Sequence, residues 1–302
     1  MEKGSLTLVV MFLVAGLTFS AALVVDLGLF YYTRTQLARA ADAAVLAGVQ
    51  HLPGDGLAAS VVAQEYVERN GGPKELARVT VASDGMSIKV APEKEIPYSF
   101  GRLFGQQAKL VTAQSAAVIG SVKALAGAVP FGVEQHNFEY GKQYILKRGA
   151  GQAGSYKGNF GALALGGKGA AVYRDNMMRG YPDVLELGAI VPTEPGNVSG
   201  PTSQGVAYRI NQDPLATWEN YRLDSPRIIK VPVIKYLDQQ GRTSAQVVGF
   251  AAFFLEGVGG SGHNNYVVGR FLKMMVSNDS GSIDESGSSG TDFGLYSYKL
   301  VI

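Results

Sequence analysis

The chain contains no cysteine among its 302 residues. That excludes disulfides, a thiolate metal site, a thiol nucleophile and c-type haem attachment. Histidine is almost as scarce: His51, His136 and His263 are dispersed, and none stands in a His-Glu-x-x-His arrangement. Charge is thin as well, at 17% of residues with a net +2, which argues against nucleic acid as a main partner. Long apolar runs are missing everywhere except at the N-terminus, so that end sets the first question.

Two glycine-rich stretches imitate nucleotide motifs and fail on context. Gly257-Val258-Gly259-Gly260-Ser261-Gly262 fits the dinucleotide fingerprint by letter, but the following residues through Val268 read as a strand where a helix is required. Gly161 to Gly169 resembles a phosphate loop, yet Lys168 is one place late and no Ser or Thr follows it. Ser261 beside His263 lacks the nucleophile-elbow pattern and an assigned acid to orient the imidazole. The expectation is no enzyme, no cofactor, no catalytic or metal residue and no small-molecule substrate. The acidic stretch 278–292 offers hard oxygen ligands of the kind Ca²⁺ accepts, but its spacing is not that of an EF-hand loop.

Residues 5–25, SLTLVVMFLVAGLTFSAALVV, are uncharged. As a helix they reach roughly 30 Å, the thickness of a bilayer's hydrocarbon core. A secretory signal has a shorter apolar centre of about 7–15 residues, and a soluble core helix of this length and uniformity is unusual. Helix formers continue past Asp26 and Gly28 to Gly48, with Pro53 the first stop. The pattern predicts a retained helix over residues 1–50, membrane-spanning over 5–25.

From Val25 onward the chain reads Val-Asp-x-Gly, then Tyr31 and Tyr32, Arg34, Gln36-Leu37, and Ala-Asp-Ala-Ala-x-Leu-Ala-Gly over 41–48. With the apolar span before it, this order and spacing resemble the N-terminal domain of the TadE/TadG-like family of the Tad (Flp-type) pilus assembly system. The resemblance covers about a sixth of the chain. It implies a bitopic or pilin-like bacterial envelope protein, N-terminus inward and C-terminal bulk exported. Charge alone gives no orientation, because Lys3 stands on one side of the span and Arg34 and Arg39 on the other. Gly4 is the glycine after which a prepilin peptidase would cut, but the fifth residue beyond it is Val9, where that class of pilin carries Glu.

Small residues at four-residue spacing, Gly16 with Ser20 and Ala40 with Ala44 and Gly48, predict close helix packing. Asp26 is expected at the membrane interface or paired with a cation on a neighbouring chain. With Gly28, Tyr31 and Arg34 these residues form the candidate packing and assembly set.

Downstream, the predicted fold class is α+β. A small pilin-like unit over 51–122 comprises a helix at Leu57–Arg69, a hairpin from Ala77–Ala82 and Met86–Val90, a short helix at Pro97–Gly105 and one strand at Lys109–Val122. A β-rich domain over 123–302 follows, with strands expected at 143–147, 160–165, 227–237, 246–256, 266–276 and 293–301 and a helix near 170–178. Glu194 to Asn197, Gly200, Pro201 and 280–290 read as turns, and Val247–Leu255, free of charge, as a buried strand.

Two functional readings follow. One is a structural pilin-like component whose partners are membrane lipid and other pilus subunits or copies of itself, extending to a self-polymerising extracellular filament. The other is a permanently anchored binding or adhesion module using aromatic loops around Trp218 to Tyr221.

Overall fold

In a computed structural model of the chain, residues 2–146, 161–194, 198–237, 244–260, 265–276, 283–284 and 292–301 are described. They form two compact units: Met1–Val118 with Leu300–Ile302, and Ile119–Lys299.

The first unit is built on α1 (Glu2–Val49), a single unbroken helix. A turn leads to α2 (Gly56–Arg69), whose first turn is capped by Asp55 accepting the Ala58 amide at 2.8 Å. The helix stops at Asn70-Gly71, where Gly71 takes φ +79° and the Gly72 amide reaches back to the Val67 carbonyl at 2.9 Å. Strands β1 (Ala77–Val81) and β2 (Ser87–Pro97) make the expected hairpin. Both later elements β3 (Ala108–Thr112) and β4 (Ser115–Val122) pair antiparallel with β2.

The single strand expected at 109–122 is therefore two, and the reason is Pro92. Thr112 opposes Glu93 and Ser115 opposes Val90, so the register continues across the break. Proline at 92 has no N–H to donate, so opposite it only the Ala113 amide bonds across, to the Pro92 carbonyl at 3.3 Å, and the regular strand breaks at Ala113-Gln114. The helix expected at 97–105 is likewise shorter, a 3₁₀ turn at Gly101–Phe104 ended by Gly105 at φ +79°, because Pro97 still belongs to β2. Ile88 and Val90 are fully buried, and the two helices cover the sheet.

The second unit contains β5 (Ala124–Leu125), β6 (Phe131–Glu134), β7 (Gln143–Leu146), β8 (Gly161–Ala162), α3 (Ala170–Arg179), β9 (Leu185–Glu186), β10 (Ile190–Pro192), α4 (Ser199–Gln212), β11 (Ile228–Tyr236), β12 (Ser244–Gly259), β13 (Tyr266–Leu272), β14 (Met274–Met275), β15 (Ile283–Asp284) and β16 (Leu295–Val301). Its main sheet runs β7-β13-β12-β11-β6-β8, with β10 on the start of β12. Within it β11 and β6 are parallel and the other pairs antiparallel.

Strand β12 explains the charge-free run at 247–255. Ala251, Phe253 and Leu255 enter one core with Tyr173 and Met177 of α3 and Val206 of α4; Phe250, Ala252 and Phe254 enter another with Leu163, Leu185 and Val191. Alternate residues face opposite sides of a sheet, so a strand covered on both faces has no polar positions. Helix α4 corrects the turn expected at Gly200 and Pro201. Proline fits the first turn of a helix, where amides have no intrahelical partner, and Gly205 lets α4 approach Met177 too closely for a Cβ. Buried Arg209 ties the two helices to the sheet's approach, donating to the Met177 carbonyl at 2.6 Å and the Pro226 carbonyl at 3.0 Å. Burial pulls its guanidinium down to about 10, still charged at neutral pH.

Candidate functional site

Along α1 the same helix lives in two environments. No residue in its most apolar 18-residue window is buried, and Phe12 is 74% exposed. Large apolar side chains point outward all round, among them Leu13, Leu17, Val24 and Val25. Two of its hydroxyls are satisfied locally: Thr18 bonds the Val14 carbonyl and Ser20 donates to the Gly16 carbonyl at 2.9 Å. From Asp26 onward burial becomes periodic, with Asp26, Phe30 and Thr33 buried and Leu37, Ala40, Ala41, Ala44, Val45 and Val49 at 1% exposure or less. A helix apolar all round needs lipid or protein on every side, whereas one with a buried stripe is already packed.

Asp26 lies at the change of environment and is only 5% exposed. One carboxylate oxygen accepts the Ser99 amide at 2.7 Å; the other accepts Phe100 at 3.1 Å and Gly101 at 2.9 Å. Its partners within the chain are thus backbone amides of the turn between β2 and β3. One helical turn on, Phe30 is buried against Ile96 and Val111, with the Tyr98 ring edge-on at 4.9 Å and Lys109 Nζ 5.1 Å from its ring. The sequence shows Asp26 to be unusual but gives no signal for partners 73 residues away.

The small residues separate into two groups. Ala40 and Ala44 are fully buried, and a Cβ on Gly48 would come within 2.6 Å of Ile88 Cδ1 and 2.9 Å of the Ala59 carbonyl. Ala59, Ala63 and Val67 of α2 fill the facing side, so this stripe packs inside the chain. A Cβ on Gly16 or Gly28, by contrast, would meet nothing within 4 Å, and Ser20 is exposed. Tyr31 is 76% exposed. Arg34 lines an open cleft of about 690 Å³ with Arg78, Lys89 and Glu93. Gly4 falls in the first turns of α1.

Other motifs take structural places. Gly257 and Gly259 belong to β12, whereas Ser261, Gly262 and His263 lie outside the described residues. Gly161 starts β8, and Gly169 donates its amide to Glu194 Oε1 at 2.8 Å just before α3, so a side chain of the same unit occupies that helix start. Trp218 and Tyr221 pack on Phe254, with ring centroids 6.1 and 5.1 Å away, and the Arg270 guanidinium covers Trp218 at 5.5 Å. Among the described residues no three His, Cys, Asp or Glu side chains converge as metal ligands. Most of the acidic stretch at 278–292 lies outside those residues.

Residues 4–51 match the family model described as "Putative Flp pilus-assembly TadE/G-like". The match coincides with α1 and the turn after it, covering the exposed apolar half, Asp26 and the packed small residues together. No curated protein and no solved structure matches the chain.

Proposed function

We propose that this chain is a membrane-anchored structural component of a Tad/Flp-type pilus system, with α1 as anchor and both globular units exported. The observation that carries the reading is the exposure of the N-terminal half of α1 on every side, inside a segment that matches a pilus-assembly family. Residues 7–25, uncharged and about 28 Å long as a helix, suit a bilayer core and would be strongly disfavoured in water. In the fuller form of the proposal the helix leaves lipid for neighbouring copies during assembly. Gly16, Ser20 and Gly28, all exposed on the helix, are then the places where helices meet.

One observation favours the second reading, a permanent anchor carrying a binding or adhesion module. The densest small-residue stripe, Ala40, Ala44 and Gly48, is already covered by α2 and offers nothing to a second copy. Shearing of cells expressing the native chain separates the two. Recovery in sheared filaments, with mass spectrometry of the N-terminus reporting any cut after Gly4, supports assembly; retention in the membrane pellet supports the anchor.

A further inference from the structure

The turn between β2 and β3 carries a feature that the fold does not use. Leu103 is 80% exposed and Phe100 42% exposed, with Arg102 exposed between them. The three bonds to Asp26 and the contact of Tyr98 with Phe30 hold this turn beside residues 26–30 of α1. That is the first turn and a half beyond the charge-free run. If residues 7–25 fill the hydrocarbon core, the headgroup zone, about 5–8 Å deep on each side, corresponds to roughly the next three to five residues of helix. The turn is therefore fixed at the depth where exposed Leu and Phe gain from burial and basic side chains meet phosphates. At the same depth α1 itself shows exposed Leu27 and Leu29, then Tyr31 and Tyr32, the aromatic residues typical of this zone.

We infer that the 98–103 turn is a second membrane contact, which inserts Phe100 and Leu103 into the headgroup boundary of the bilayer that α1 crosses. Asp26 makes this possible. An unpartnered carboxylate at that boundary would resist burial, and three backbone amides satisfy it while locking the turn to the helix. The first unit would then rest on the membrane at two points and hold a defined tilt. The inference rests on reading α1 as a membrane span.

The absence of native cysteine permits single-cysteine labelling of the full chain. Leu103→Cys, Val14→Cys and Leu57→Cys, each carrying an environment-sensitive fluorophore, are reconstituted in phosphatidylcholine/phosphatidylglycerol vesicles with lipids brominated at shallow or deep acyl positions. Leu57, an exposed residue of α2, serves as the control outside lipid. The expected result is loss of Leu103 emission, greater with shallow bromines, loss of Val14 emission, greater with deep ones, and none at Leu57. Quenching at Val14 with none at Leu103 overturns the inference and leaves the anchor standing. A blue-shifted but unquenched Leu103 also overturns it, showing cover by protein. Absence of quenching at Val14 overturns both readings.

Discussion

Both halves of α1 are rich in Ala and Leu, yet one is bare and the other packed. Residues 7–25 carry no charge whereas 26–49 include Asp26, Arg34, Arg39 and Asp42, and the arrangement of side chains differs as well. Between 7 and 25 large apolar groups encircle the helix, so no single protein face covers them. Between 37 and 49 small residues recur every fourth position on one side, and α2 lies along that side with Ala59, Ala63 and Val67. Hydrophobicity tells that a segment must leave water; side-chain size and angular spread decide whether lipid or protein receives it.

Substitutions in the two halves should therefore give opposite readouts. The largest effect is expected for Leu37→Ala, which empties a site at 1% exposure beside Phe30, Ile96 and Val111. It should destabilise the first unit by about 2–5 kcal/mol, seen as faster amide exchange in α2, whereas Leu17→Ala should leave that exchange unchanged. Next is Leu17→Arg, which places a charge mid-run at a cost of about 3 kcal/mol for insertion. Flotation with vesicles should fall sharply while exchange in the second unit stays as it was. Equal loss of exchange protection there would break the division of roles.

Gly48→Leu should cost about 1–3 kcal/mol through overpacking against Ile88 and the Ala59 carbonyl. Gly16→Leu has open space and should leave unfolding unaltered, changing only self-association in detergent cross-linking. The smallest effect is local. Asp26→Ala should speed exchange of the Ser99, Phe100 and Gly101 amides and leave the α2 amides protected.

Much of α1 was legible because its signals are local: a charge-free run, a run of helix formers, and the order of residues from Val25 to Gly48. The hairpin across 83–85 and the charge-free core strand were legible for the same reason. What could not be read depends on distant partners. Asp26 finds the amides of 99–101 only after the β2–β3 turn folds back. The Ala40-Ala44-Gly48 stripe reads equally as packing within a chain or between chains until α2 is seen against it. Pro201 and Gly200 look like turn residues, and only the close fit of Gly205 on Met177 shows why a helix forms there. Pro92 interrupts a strand on its neighbour's side of the ladder, an effect its own segment does not reveal.

The most direct test of the account is a cysteine scan of α1 from Leu8 to Val49 in intact membranes, read with a water-soluble maleimide. The account predicts protection of every position from 8 to 25 whatever its angle on the helix, then reactivity confined to exposed positions in a period of about 3.6 residues. Periodic reactivity that begins before Asp26, or free reaction throughout 8–25, would contradict it.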